Sequence, residues 1–151
     1  MAIYRDNPYG AFNFQVTVDR FGDAAGFRAG FQEISGLGLE VTVAEYRNGN
    51  EKENAVRKLT GLTRVSDVTL KRGIIGSLVL YQWLDQVRTG DQGALRTVLV
   101  HLLSEDHTAT VVTWKLHRAR IVRHVSGPFN AKNSEVAIEE LTLAYERLEM
   151  E

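Results

Sequence analysis

Alternation of apolar and polar side chains at every second residue is the feature that most restricts this chain. From Phe12 to Asp19 (FNFQVTVD) it runs without a break. Only a half-buried β-strand separates such residues onto one apolar and one polar face. The same period returns at Leu39, Val41 and Val43, leading into Tyr46. It is seen again at Val68 and Leu70 within a strand expected over 65–72, and at Val112, Trp114 and Leu116 within one expected over 110–117. Further strands are expected over 27–34, 96–103 and 120–125. Phe21-Gly22-Asp23 reads as the turn after the first strand. The polar, doubly charged segment Arg47–Asn54 (RNGNEKEN) reads as an exposed loop or hairpin tip.

One stretch has a different period. Leu80, Leu84 and Val87 fall at helical spacing, with Tyr81 and Trp83 widening the apolar stripe, Ser77 placed to cap the start and Arg88 and Gly90 suited to the end. The last strand carries a defect. Val136 and Ile138 occupy even positions, whereas Leu141, Leu143 and Tyr145 occupy odd ones, so the apolar face changes side across Glu139-Glu140. Such a change predicts a bulge or bend, as where a strand passes from one sheet to another. Many strands and one helix describe a mainly β fold, a barrel or sandwich carrying a single packed helix, with residues 1–151 as one domain.

Composition narrows the function. The 151 residues are 44% hydrophobic and 25% charged with a net charge of −1, so no whole-chain field draws the protein to nucleic acid or an anionic membrane. The absence of cysteine excludes disulfides and thiolate metal sites. The first residues, MAIYRDNPYGAF, lack the pattern of a signal peptide, and no window approaches the roughly 20 apolar residues of a membrane span. A soluble chain made in the cytoplasm is expected.

Residues that could carry chemistry read more simply as structure. His101, His107, His117 and His124 show no metal-ligand spacing. Ser77 is a cap before it is a nucleophile. Glu139 and Glu140, adjacent on a strand, point to opposite faces and cannot share a substrate. Neither a metal, a cofactor nor an enzyme activity is expected.

Charge is the remaining signal. Arg57, Lys58, Arg64, Lys71 and Arg72 face only Asp67 in the stretch 57–73. Glutamates 135, 139, 140, 146, 149 and 151 face only Arg147 at the other end. The basic stretch has neither the order of a phosphate loop nor aromatic residues to stack on bases. The two segments can pair within one molecule, or between copies in rings or filaments.

Four segments in order, NPYGAFNFQVTVD, FQEISGLGLEV, KLTGLTRVSDVTLKRG and HVSGPFNAKNSEVAIEELTLAYERLE, resemble the contractile-phage tail-tube family. More closely, the chain is similar to the inner-tube proteins of phage-tail-like extracellular contractile injection systems. The resemblance implies a fold like the type VI secretion tube protein, with two β-sheets forming a barrel and a helix on its flank. It implies hexameric rings stacked into a tube inside a contractile sheath, with baseplate and terminator or cap proteins as partners and a protein effector or DNA as cargo of the lumen. It places the ring-to-ring arm at residues 47–57, with Arg47, Asn48, Glu51, Lys52, Glu53 and Arg57 as contacts. Lys58, Lys71 and Arg72 would then lie on inter-subunit or lumen surface, and Glu139 and Glu140 where the last strand crosses between sheets. An assembled extracellular particle or virion is the implied destination. A tube-like baseplate or terminal adaptor is the neighbouring reading. A monomeric β-barrel module for sugar or lipid is the reading from another class, though Trp83 and Trp114 sit on separate elements instead of lining one pocket.

Overall fold

The computed structural model describes residues 2–19 and 27–151; the turn expected at Phe21-Gly22-Asp23 lies outside the described residues. Along the chain come β1 (Phe14–Val18), β2 (Phe27–Ala29), β3 (Glu33–Ser35), β4 (Leu39–Tyr46), β5 (Arg57–Val65), β6 (Val68–Gly73), α1 (Val79–Arg88), β7 (Arg96–Leu103), β8 (Thr110–Ser126), β9 (Ile138–Ala144) and β10 (Arg147–Met150). Two short strands, β2 and β3, take the place of the single one expected over 27–34.

The order of paired strands is β2-β1-β7-β8-β9-β6-β3, with β10 also on β8, and every pairing is antiparallel. The path ends at β2 and β3, so the fold is a two-layer sandwich and not a closed barrel. β8 belongs to both layers. Residues 110–119 pair with β7 and residues 114–117 with β10, whereas residues 120–126 pair with β9. Between the halves Arg118 has φ 55, a left-handed conformation unusual for a side chain of its size. The register then slips between Ile121 and Arg123, where Val122 turns out to solvent. A bulge of this kind bends a strand and re-aims it toward a second sheet. The two strands expected over 110–117 and 120–125 are thus one element, broken in phase but not in pairing.

The last strand corrects the sequence reading. β9 pairs with β6 in unbroken register from Ile138↔Gly73 to Leu143↔Val68. Glu139, Leu141, Leu143 and Tyr145 are all buried on one side, and Val136 lies exposed before the strand begins. The sequence predicts a bulge at Glu139-Glu140 because it counts Glu139 as polar-out. Instead Glu139 takes a core position, and the strand that crosses between layers is β8.

The core is continuous between layers. Val16, Val98 and Leu116 of one layer meet Leu70, Ile121 and Leu143 of the other, and α1 adds Leu80 and Trp83 from its packing on β8. Trp83 is 1% exposed and its Nε1–H donates to the Ala94 carbonyl at 2.7 Å. Leu84 and Val87 pack at the margin of the core, while Tyr81 faces solvent. The helix starts one residue later than Ser77 suggests. Leu78 occupies the cap position and Ser77 Oγ accepts only a long bond from the Val79 N–H, 3.4 Å. Gly90, with φ 83, follows the helix in the left-handed conformation that a glycine tolerates.

Truncating a buried indole leaves a cavity and an unpaired carbonyl. Trp83→Ala is expected to destabilise the subunit by about 3–5 kcal/mol, whereas Tyr81→Ala on the solvent side should change stability by no more than about 0.5 kcal/mol. Denaturant unfolding of the two variants checks both; an unchanged midpoint for Trp83→Ala would contradict the packing described here.

Candidate functional site

Among the described residues β4 and β5 pair only with each other, forming a two-stranded ribbon outside the sandwich. The sequence reading misses β5 because its apolar residues, Leu59, Leu62 and Val65, do not alternate. The structure supplies the reason: between Val41↔Thr63 and Val43↔Thr60 the register shifts by a bulge in β5. There Gly61 lies so close to Thr42 that a Cβ would sit 2.9 Å from its Oγ1, and the same hydroxyl donates to the Leu62 carbonyl at 2.9 Å. At the base, the Ser66 N–H donates to the Gly38 carbonyl at 3.2 Å. Gly36, at φ +92, lets the chain pass the Asp67 carbonyl where a Cβ would come within 2.3 Å.

The ribbon is exposed on both faces. Leu39, Val41, Val43, Tyr46, Leu59 and Leu62 are each at least 45% exposed, Leu62 reaching 78%. A two-stranded ribbon alone is marginal in water, and a contiguous apolar surface of this kind marks a place where another molecule binds. A second exposed apolar group lies at the far end of β6 and β9. There the Ile74 N–H donates to the Ala137 carbonyl, and Ile75, Leu78, Phe129 and Val136 face solvent.

The ribbon's charges are matched across its strands. Glu40 stands opposite Arg64, Glu45 opposite Lys58 and Tyr46 opposite Arg57. Its tip, residues 47–56, is organised by Arg47. The guanidinium donates to the Glu53 carbonyl (3.0 Å), the Glu51 carbonyl (2.9 Å) and Asn54 Oδ1 (3.4 Å), and Arg57 pairs with Glu51 at 2.7 Å. The Tyr46 hydroxyl donates to Asn48 Oδ1, while Lys52 and Glu53 are exposed. The structure thus brings Arg47, Asn48, Glu51, Lys52, Glu53, Arg57 and Lys58 together on one projecting element.

The other sequence candidates lie elsewhere. Lys71 stands opposite Glu140 on β9 and 3.9 Å from Glu33 on β3. Arg72 and Glu139 are 2% and 7% exposed and are ion-paired with each other, with His124 Nε2 at 3.1 Å from the second carboxylate oxygen of Glu139. The Phe31 ring lies 5.9 Å from the Arg72 guanidinium. These two residues belong to the subunit interior, so the basic and acidic segments meet here within one chain. His101 and His117 serve the sheets, whereas His107 lies in the β7–β8 connection. His101 Nδ1 is 3.0 Å from Thr113 Oγ1, and His117 Nε2 is 3.1 Å from Glu149, whose carboxyl the imidazole holds below its usual range.

Removing one partner of a buried pair strands the other charge. Arg72→Met alone is expected to cost about 3–5 kcal/mol, and adding Glu139→Leu should recover most of that loss. Unfolding curves of the single and double variants decide it; equal losses in both would show that the cost does not come from a stranded charge.

Residues 10–149 match the family model described as T4-like virus tail tube protein gp19. A chain of the anti-feeding prophage baseplate structure is similar at 27% identity and TM-score 0.84, covering 97% of this chain and 97% of that one. A chain of the PVC sheath–tube complex, an extracellular contractile injection system in its extended state, is similar at 26% identity and TM-score 0.81, covering 95% and 91%. Hcp1 from Flavobacterium johnsoniae shares the fold at 15% identity and TM-score 0.52, covering 91% and 93%. No curated protein matches the sequence.

Proposed function

The chain belongs to the T4-like virus tail tube protein gp19 family, and on that premise we propose that it assembles into hexameric rings stacked as the inner tube of a contractile injection machine. The observation that carries the assembly is the β4–β5 ribbon. It leaves the sandwich, pairs with no other strand among the described residues, and exposes apolar side chains on both faces. A second copy in the next ring gives that surface a partner. The tip residues Arg47, Asn48, Glu51, Lys52, Glu53 and Arg57, with Lys58 behind them, form the leading edge of the contact. The sheath surrounds the tube, a baseplate starts it and a cap ends it, in keeping with the sheath–tube and baseplate structures that contain its relatives. The lumen carries a protein effector or DNA, and the finished particle acts outside the cell that made it. The subunit works through its surfaces and not through chemistry on a substrate.

Similarity to a chain of a baseplate structure supports a second reading, an adaptor that forms a single ring beneath the tube. The two differ in self-assembly. A tube subunit concentrated alone forms tubes of uniform width, whereas an adaptor stops at rings, and negative-stain microscopy separates these outcomes.

The ribbon is tested by two changes that spare the core. Deleting Gly49–Glu53 shortens the tip to a hairpin loop of ordinary length. Leu62→Asp places a charge on an apolar contact while shifting subunit stability by no more than about 0.5 kcal/mol. Both variants are expected to stay folded by circular dichroism and to give short stacks or isolated rings in micrographs. Tubes of unaltered length from either variant would remove the ribbon from ring stacking.

A further inference from the structure

The tip of the ribbon holds the one Asn-Gly pair in the sequence, Asn48-Gly49, and four features of it bear on reactivity. Gly49 is exposed, and a Cβ built on it meets nothing within 4 Å, so no side chain shields its amide. Its N–H takes part in no hydrogen bond among the described residues, because the turn here is closed by Glu51 N–H donating to the Asn48 carbonyl at 3.2 Å. The pair lies beyond the last ladder partners, Tyr46↔Arg57, so the sheet does not fix its backbone. The Tyr46 hydroxyl donates to Asn48 Oδ1 at 2.5 Å, which draws electron density from the side-chain carbonyl carbon.

We infer that Asn48 is a site of spontaneous covalent modification, a deamidation that converts the tip amide to aspartate or isoaspartate. The Gly49 backbone nitrogen attacks Asn48 Cγ and forms the N–Cγ bond of a succinimide ring. The Cγ–Nδ2 bond breaks, and the amide nitrogen leaves as ammonia with the proton given up by Gly49. Water then opens the ring. Cleavage of the N–Cγ bond gives aspartate, and cleavage at the main-chain carbonyl gives isoaspartate, whose backbone runs through Cγ. Nothing is oxidised or reduced. Glycine is the residue that permits the attack, since any Cβ at position 49 crowds the approach.

The product adds a negative charge beside Glu51 and Glu53, and as isoaspartate it lengthens the main chain at the tip. The consequence for stacking rests on the ring-contact reading: a free subunit then ages toward a form that stacks poorly, and a subunit already in a tube is protected. The modification itself does not depend on that reading.

The full-length chain, held in dilute mildly alkaline buffer as free subunit, is sampled over days and digested. The peptide carrying residue 48 is then separated and weighed. Accumulation of aspartate and isoaspartate at Asn48, ahead of Asn54 and Asn130 in the same samples, is expected. Gly49→Ala, which the open space at that position accommodates, should lose nearly all of the product. Tyr46→Phe should slow its formation. An unmodified Asn48 after prolonged incubation, or equal rates in wild type and Gly49→Ala, would overturn the inference. Assembled tubes run in parallel are expected to modify more slowly. Equal rates in tubes and free subunits would leave the site established and count against the tip as a ring contact.

Discussion

Both layers of the sandwich are held together by one strand. β8 is 17 residues long, and its first half is the partner of β7 and β10 while its second half is the partner of β9. Had it continued straight, the β9–β6–β3 layer would extend the first sheet instead of covering it. The core shared by Val98, Leu116, Leu70 and Leu143 would then have no second wall. The turn is made by two local departures from ideal strand geometry, the left-handed Arg118 and the slip at Val122. Arg118 and Arg120 both reach Glu146, at 3.1 and 3.2 Å, in the short connection between β9 and β10. The residues that bend β8 are therefore anchored to the segment that also changes layer.

Electrostatics closes on itself in the same way. A chain of net charge −1 with one basic and one acidic segment offers attraction between copies. The register assigns much of that attraction inside the subunit. Glu33, Lys71 and Glu140 stand side by side across β3, β6 and β9, and Arg72 meets Glu139 in the row beneath. On the ribbon, Glu40 and Glu45 answer Arg64 and Lys58. Exposed cross-strand pairs of this type contribute only tenths of a kcal/mol to about 1 kcal/mol each. Register is set more strongly by burial, since a slip of one residue would turn the buried face of β6 and β9 outward. With so many charges matched at home, the surface left to drive association is mainly apolar.

The architecture was legible wherever one face of an element is apolar and the other polar. β1, β7 and the helix follow the period directly, because burial on a single side leaves an alternating record, and β4 alternates although neither of its faces is buried in the chain. Legibility failed where another interaction replaced burial. Glu139 occupies a core position because Arg72 neutralises it 67 residues away in sequence, and no local pattern announces that partner. β5 lost its alternation to a bulge and to a lack of any buried face. The tip residues were placed on one element by sequence reasoning, while Arg72 and Glu139 were assigned to a surface they do not reach. The exposed group at Ile75, Leu78, Phe129 and Val136 was not singled out. Its members are scattered along the chain, and the end of the β6–β9 ladder with the Ile74–Ala137 hydrogen bond brings Ile75 and Val136 near each other.

The same absence of a buried face supports the role proposed for the ribbon. In a monomer, a hairpin with six large apolar side chains in water is a poor use of sequence. Burying a side chain such as Leu62 is worth about 1.5–3 kcal/mol, and the sandwich leaves that energy unclaimed. A solvated ribbon of two strands also orders weakly on its own. In the tube proposed above, ring stacking would supply both the burial and the order at once. The bulge at Gly61 and the close pass at Gly36 define the ribbon's departure from the body through backbone geometry. The sandwich below is complete within one chain, and on the proposed reading the ribbon is the part that a neighbour completes.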